Sequence, residues 1–320
     1  MAFHELVLSK PRGFCAGVDR AIEVVERALD IYETPIYVRK EIVHNKHVVE
    51  DLKKKGAVFV EELDEVPEGA IAIFSAHGIA PSVVEEAGRR NLKALDATCP
   101  LVTKVHSEVR RYVRDGFSII LVGHMDHDEV IGTYGEAPEH ITVIHQAEEV
   151  DGLTVPDPQK VVCLTQTTLS VDDTAEVVSA LKKKFPDLTL PAKEDICYAT
   201  TNRQKAVRKM AGQVDLFLVL GSQNSSNSMR LKEVAESVGV RAYLIDGVAD
   251  LDPAWFDGAE RVGITAGAST PEFLVKELVG TLRKRGIREV RESEGPDENV
   301  VFQLPGELVA GEIGWVSQQD

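Results

Sequence analysis

The sequence predicts an α/β protein of three similar units, arranged as a pseudo-threefold cloverleaf around a central cavity. Short apolar runs rich in branched residues alternate with helical patterns, which is typical of largely parallel sheets. The chain also repeats, because three times a cysteine opens a helical pattern and two strands follow, each ending in a polar loop. The first polar loop lies 28 or 29 residues after the cysteine in every repeat.

Apolar runs predict a strand near the N-terminus and two strands in each repeat, over 6–8, 36–38, 71–74, 119–122, 161–164, 216–220 and 261–264. Helical patterns cover 18–31, 81–91, 101–114, 171–184, 201–211 and 271–285. The predicted units span 14–98, 99–194 and 195–285. The stretch 1–13 supplies the N-terminal strand, and 286–320 is predicted to be a C-terminal strap that packs on the body, with a short strand over 300–304.

Composition places the chain among globular proteins and excludes two classes of partner. The 320 residues are 43% hydrophobic and 28% charged, which is ordinary for a soluble protein. The formal net charge of −16 argues against nucleic acid and anionic membranes as partners, whereas a small anionic substrate needs only a local pocket. No signal-peptide or membrane-spanning pattern is present, so we expect a cytoplasmic protein.

Three isolated cysteines, Cys15, Cys99 and Cys197, each stand at the start of a helical pattern. A helix N-terminus directs unpaired N–H groups at the residue before it, which favours a thiolate. Their matching repeat positions predict a shared metal site, either zinc with a further ligand or an iron–sulfur cluster with one open iron. The absence of a CxxC pair argues against zinc-ribbon and ferredoxin-type sites. Cys163 lies inside an apolar run and is predicted to be core.

The predicted strand-end loops carry residues suited to binding an anion and moving protons. His44, His77 and His127 occupy equivalent loops, and Glu129 follows His127 by two positions. A carboxylic acid with a raised pKa in such a pocket delivers protons. Hydroxyl and amide donors at helix starts predict phosphate binding without an obligatory arginine. These donors are Thr167, Thr168, Ser225, Ser226, Asn227 and Ser269.

Seven longer motifs run through the chain: GFCAGV (13–18), SAHG (75–78), DATCPLV (96–102), TQTTLSVDD (165–173), DICYATTNR (195–203), NSSNS (224–228) and TAGAS (265–269). Together they resemble the LytB/IspH family of hydroxymethylbutenyl diphosphate reductases, from about residue 6 to about residue 304. The resemblance independently implies the three-unit cloverleaf fold.

The resemblance also implies an oxygen-sensitive [4Fe–4S] cluster held by Cys15, Cys99 and Cys197, with one iron open to the substrate hydroxyl. Two electrons and protons enter, water leaves, and isopentenyl and dimethylallyl diphosphate form in the last step of the non-mevalonate isoprenoid route. A ferredoxin or flavodoxin is the implied electron donor.

Site residues follow from the same resemblance. Glu129 matches the proton-relay acid, Thr167 lies beside the substrate hydroxyl, and His127 matches a substrate-contacting histidine. The positions that match the family's diphosphate-binding residues are His44, His77, Ser225, Asn227 and Ser269, with Ser226 nearby. Cys163 and the last sixteen residues inherit no role.

Two rival functions remain from the residues alone. A zinc site holding three lobes together in a binding protein for phosphorylated metabolites explains the cysteines and the donor-rich loops, but gives Glu129 and Thr167 no task. The second rival is a cluster-based redox sensor. The sequence argues against it, because it contains no basic element of the kind that reads DNA.

Overall fold

The computed structural model describes residues 4–310, in which twelve strands form three separate, fully parallel sheets. This confirms the predicted α/β class with parallel sheets. In chain order the strands are β1 (Glu5–Leu8), β2 (Ile36–Arg39), β3 (Ala57–Val60), β4 (Ile71–Phe74), β5 (Lys93–Asp96), β6 (Ser118–Val122), β7 (Ile141–Ile144), β8 (Val161–Thr165), β9 (Leu216–Leu220), β10 (Arg241–Ile245), β11 (Arg261–Ala266) and β12 (Glu289–Glu292).

Ten α-helices accompany these strands within the described residues: α1 (Ala16–Ile31), α2 (Lys46–Lys54), α3 (Pro81–Arg89), α4 (Pro100–Arg114), α5 (Asp128–Tyr134), α6 (Val171–Lys184), α7 (Tyr198–Ala211), α8 (Ser226–Ser237), α9 (Glu272–Lys284) and α10 (Gly306–Ala310). Apolar residues three or four apart give the longer helices a single buried face. In α1 that face includes Val18, Ala21, Val25 and Ala28. None of the helices between residues 4 and 310 has the length and apolarity that a membrane crossing requires.

The sheets have the strand orders β10–β9–β11–β1–β12, β3–β2–β4–β5 and β7–β6–β8. All five residues of β9 are buried, as expected for a central strand covered on both faces. Its side chains alternate between two apolar clusters, with Leu218 in one and Phe217 in the other. Each predicted unit contributes the strands of one sheet, and β1 and β12 join the sheet of the third.

The chain divides into two compact units. The five-stranded unit comprises the described residues up to Cys15, His44–Lys46 and Cys197–Val301. The two-sheet unit comprises Ala16–Val43, His47–Ile196 and the described residues from Phe302 onward.

The C-terminal segment corrects one sequence prediction. No strand forms over 300–304, where Val301 is 88% exposed; instead β12 pairs with β1. A strand requires a ladder partner, and the segment's short apolar pattern carries no information about one. Beyond β12 the Ser293 hydroxyl accepts from the Lys10 N–H at 3.0 Å within the five-stranded unit. Residues 311–320 of the predicted strap lie outside the described part of the chain.

Candidate functional site

Cys197 is the N-cap of α7, and its side chain is held by the first turn of that helix. The Thr200 N–H donates to the Cys197 Sγ at 3.4 Å, and the Thr200 hydroxyl lies 3.2 Å from the same sulfur. Hydrogen bonds of this kind stabilise a thiolate at a helix N-terminus. Thr200 was not predicted as a site residue, because a threonine in the first turn of a helix does not by itself indicate a bond to a cysteine sulfur.

One hydrogen-bonded network links the Cys15 and Cys197 segments inside the five-stranded unit. Thr200 accepts from the Asn227 amide at 3.4 Å, and the Asn227 Oδ1 accepts from the Ala268 N–H at 2.8 Å. The Ala268 carbonyl in turn accepts from the Cys15 N–H at 3.2 Å. The structure therefore brings together two predicted metal ligands and a predicted substrate-binding amide.

A second group in the same unit is rich in hydroxyls. Ser225 is the N-cap of α8, and its hydroxyl lies 3.5 Å from that of Ser269. The Ser269 hydroxyl donates to the His44 carbonyl at 3.0 Å. Ser226, half-buried, is the first residue of α8. Predicted anion-binding residues from three separate chain segments thus meet at one helix N-terminus, which is a favourable place for phosphate.

Glycine permits α8 to approach the strand ends at this point. A Cβ on Gly221, after β9, or on Gly267, after β11, would clash with the Ser228 side chain. The Ser228 hydroxyl donates to the Ser225 Oγ at 3.1 Å, so this close packing also orients the capping serine.

The two-sheet unit holds the other six predicted site residues, which are Cys99, His77, His127, Glu129, Thr167 and Thr168. Cys99 is the N-cap of α4, and its N–H donates to the carbonyl of Ala76 at 3.0 Å, directly before His77. The His77 and His127 rings pack edge to face with centroids 5.8 Å apart. Ser75 lies 3.1 Å from the His77 Nδ1 and orients that ring.

Glu129 and Thr167 form the most deeply buried polar pair of this group, being 4% and 5% exposed. The Thr167 N–H donates to one Glu129 oxygen at 2.6 Å, and its hydroxyl donates to the other at 3.0 Å. Burial raises the pKa of Glu129 to about 7, although these two hydrogen bonds favour the carboxylate. A carboxyl group with that pKa gains and loses a proton near neutral pH.

Neighbouring contacts set the positions of this pair. His127 caps α5, and its Nδ1 accepts from the Glu129 N–H at 3.2 Å. Gln166, 1% exposed, donates to the Thr168 hydroxyl at 3.0 Å and accepts from the His124 N–H at 3.2 Å. Gln166 was not predicted as a site residue, because nothing in a buried strand-end glutamine signals its partners.

The donor set fits a soft metal or an iron–sulfur cluster. Each of Cys15, Cys99 and Cys197 directly precedes a helix, and each is half-buried rather than sealed in the core. Cys163 contrasts with them and confirms its predicted core role. It is 1% exposed on β8, where burial raises the pKa of its thiol to about 12.

Comparison with known proteins shows one family over most of the chain. The family model described as "LytB protein" matches residues 6–283. A Burkholderia mallei protein named 4-hydroxy-3-methylbut-2-enyl diphosphate reductase 2 is 57% identical over 301 residues, covering 94% of this chain and 92% of that protein. An Azotobacter vinelandii protein named 4-hydroxy-3-methylbut-2-enyl diphosphate reductase is 55% identical over 305 residues, covering 94% of this chain and 97% of that protein.

Solved structures agree with the sequence matches. The structure of the Plasmodium falciparum E-1-hydroxy-2-methyl-but-2-enyl-4-diphosphate reductase matches with a TM-score of 0.93 and 42% identity, covering 96% of this chain and 98% of that chain. A structure described as (E)-4-hydroxy-3-methyl-but-2-enyl diphosphate reductase, the terminal enzyme of the non-mevalonate pathway, matches with a TM-score of 0.62 and 33% identity, covering 88% and 100%.

Proposed function

This chain belongs to the LytB protein family, and we propose that it reduces 4-hydroxy-3-methylbut-2-enyl diphosphate to isopentenyl and dimethylallyl diphosphate. The reaction consumes two electrons and two protons, breaks the bond between carbon and the hydroxyl oxygen, and releases water. The observation that carries the proposal is the buried Glu129–Thr167 pair, because a binding protein for phosphorylated metabolites has no use for a carboxyl group with a pKa of about 7.

The proposed cofactor is a [4Fe–4S] cluster held by Cys15, Cys99 and Cys197. Such a cluster, with one iron free of protein ligands, supplies electrons one at a time and a Lewis acid for the substrate hydroxyl. Three half-buried thiols at helix starts support this assignment.

We assign diphosphate binding to neutral hydrogen-bond donors and to histidines. The hydroxyls of Ser225, Ser226 and Ser269 and the amide of Asn227 lie at or beside the N-terminus of α8, and the positive end of a helix dipole favours an anion. We assign the same role to His44, whose carbonyl is held by Ser269, and to His77 and Thr168.

Glu129 is the proposed proton donor, with Thr167 and His127 as its partners at the substrate. Thr167 holds both carboxyl oxygens, and the N–H of Glu129 is held by His127, so the acid has one defined orientation. Orienting a proton donor in a water-poor site also limits competing reactions of the allylic substrate. We expect a cytoplasmic enzyme that takes electrons from a ferredoxin or flavodoxin.

Metal analysis of the chain purified without oxygen tests the proposal, with Cys99→Ala and Cys163→Ala as matched variants. About four irons and four acid-labile sulfides per parent chain, lost in Cys99→Ala and kept in Cys163→Ala, are expected. The parent then converts the diphosphate substrate with a chemical reductant. Stoichiometric zinc without sulfide would overturn the cluster assignment in favour of the zinc-holding binding protein. A cluster without turnover would favour the redox sensor.

A further inference from the structure

Three basic side chains share one arrangement that the proposed reaction leaves unexplained. Arg20 on α1, Lys104 on α4 and Arg203 on α7 lie five, five and six residues after the cysteine that precedes their helix. Each donates to backbone carbonyls of the segment that leads into a different cysteine. We call them the three bridging cations.

Arg203 makes the most extensive set of contacts, and its side chain is fully buried. Its Nη2 donates to the Gly13 carbonyl at 2.7 Å and to the Phe14 carbonyl at 3.2 Å, and its Nε donates to Gly13 at 3.2 Å. These carbonyls belong to the two residues before Cys15. The remaining nitrogen, Nη1, pairs with Glu298 at 3.1 Å, which neutralises the buried charge.

Lys104 repeats this contact on the segment before Cys197. Its Nζ donates to the Lys193 carbonyl at 2.8 Å and to the Asp195 Oδ1 at 2.7 Å. Asp195 is fully buried, and its second oxygen accepts from the Thr165 N–H at 3.0 Å. The ammonium therefore fixes a backbone segment that is also fastened to the end of β8.

Arg20 does the same for the segment before Cys99. Its Nη1 donates to the Thr98 carbonyl at 3.0 Å, and its Nε donates to the Gln303 carbonyl at 2.7 Å. Thr98 is the residue directly before Cys99, and the Asp96 side chain accepts from its N–H at 2.8 Å.

Together the contacts form a cycle in chain order. The helix after Cys15 holds the segment before Cys99, the helix after Cys99 holds the segment before Cys197, and the helix after Cys197 holds the segment before Cys15. Helical side chains lean toward the N-terminus, so a cation in the second turn reaches the level of the helix start. Charge-assisted hydrogen bonds to carbonyls are stronger and better oriented than neutral ones.

We infer that the three bridging cations are positioning residues of the metal centre, each fixing the backbone that carries the next cysteine of the cycle. This rests on the proposed function for the identity of the centre, whereas the effect on each cysteine segment does not depend on it.

Site-specific thiol alkylation tests the cycle on the full chain without iron. Iodoacetamide modification of each cysteine is followed by mass spectrometry in Arg20→Gln, Lys104→Met and Arg203→Lys. We expect several-fold faster alkylation of Cys99 in the first variant, Cys197 in the second and Cys15 in the third. Cys163, buried in β8, serves as the internal reference for global opening.

Matched controls carry the same chemical change at exposed positions. These are Arg27→Gln on α1, Lys205→Met on α7 and Arg283→Lys on α9. All three controls should alkylate like the parent. Equal acceleration at every cysteine, or none beyond the controls, would overturn the inference, because a purely structural role does not select one cysteine per variant.

Glu298→Gln provides a second route to the Cys15 segment if Arg203→Lys does not fold. It retains the shape of the side chain but removes the charge that pairs with Arg203. We expect faster alkylation of Cys15 alone, with Glu294→Gln as the control because that side chain is 92% exposed on the same segment. An unchanged Cys15 rate would contradict the role of Arg203.

The protein purified without oxygen gives a second readout. Loss of iron to a chelator should be about tenfold faster in each bridging-cation variant than in its control, as for other residues that orient metal ligands. The reduced cluster should also show an altered electron paramagnetic resonance signal. A parent without a cluster but with the cyclic alkylation pattern would refute the proposed function alone, and a cluster without that pattern would refute this inference alone.

Discussion

Glu129, the proposed proton donor, shows how one residue's surroundings raise the pKa of a carboxyl group. Its carboxyl is buried, and Thr167 supplies hydrogen bonds to both oxygens. We expect Glu129→Gln to lower kcat by ~10²–10⁴-fold, because the amide has no acidic proton to give. Iron content and substrate affinity should change little. Steady-state kinetics with a chemical reductant measure kcat and KM, and iron analysis measures the iron content.

Glu136→Gln is the matched control, because Glu136 is also buried but serves a different purpose. His106 and Arg110 hold the pKa of Glu136 below its ordinary value even though burial acts to raise it. Its loss should reduce stability and leave the pH dependence of kcat intact. Equal kinetic defects in the two variants would contradict a proton-donating role for Glu129.

The same carboxyl should make stability depend on pH. The folded state raises the pKa of Glu129 from 4.5 to about 7, so it binds the proton more tightly than the unfolded chain does. The stabilising effect of the protonated side chain is therefore fully present below about pH 4.5. As the pH rises to about 7, the free energy of unfolding falls by about 3 kcal/mol. Urea unfolding across this range should show that loss in the parent and not in Glu129→Gln. Parallel curves for the two proteins would exclude a strongly raised pKa.

Ser225 has a structural role as a helix cap, and we propose that the same hydroxyl also binds the diphosphate. It accepts from the Ser228 N–H as the N-cap of α8, beside the proposed diphosphate site. Ser225→Ala should cost ~1 kcal/mol of unfolding free energy and raise KM. Ser170→Ala, which removes the equivalent cap of α6, should cost as much stability without raising KM. A raised KM in both variants would assign the effect to destabilisation.

At the scale of elements, the C-terminal segment after β12 depends on one glycine. A Cβ at Gly295 would clash with the carbonyl of Lys10, and this backbone contact has no flexible side chain that can move aside. Gly295→Ala should therefore destabilise the protein by ~1–3 kcal/mol. Differential scanning calorimetry on the full chain measures the change.

Gly280→Ala on α9 is the opposite case. Nothing lies within 4 Å of a Cβ at Gly280, so alanine should stabilise the helix by ~1 kcal/mol. For Gly295, by contrast, a stabilising effect of alanine would contradict the predicted clash with Lys10, because it would show that the segment after β12 is loosely held.

Individual elements show where local sequence patterns are sufficient and where they fail. The predicted helix 171–184 has the same bounds as α6, because its apolar spacing and its Ser170 cap are both local signals. Strand β5 was not predicted, since only one of its four residues, Leu95, is buried. Its pairing with β4 supplies what its sequence lacks.

At the scale of the whole molecule, the three cysteines stand at helix starts that follow three different sheets, yet we assign them to one centre. Replacement of Cys15, Cys99 or Cys197 by alanine should therefore remove all the iron rather than a third of it. A double variant should lose no more than a single one. Partial, additive losses would indicate separate metal sites. Iron and sulfide analysis of anaerobically purified variants decides the matter.

The sequence by itself determined the α/β class, the cysteines at helix starts and the core position of Cys163. Each of these follows from patterns visible in the sequence, namely apolar spacing, helix-start signals and repeat position. The candidate site residues were proposed from the sequence, because loops after parallel strands carry the polar side chains of α/β proteins, and their roles stay predictions.

Only the tertiary structure decided which residues contact one another. Glu129 and Thr167 are 38 positions apart, and Arg203 and Gly13 are 190 apart. The pairing of β12 with β1, in place of a strand at 300–304, joins residues almost as distant as the chain allows. Sequence periodicity records which face of an element is buried, whereas partners across the fold are selected by packing and by the need to pair buried polar groups.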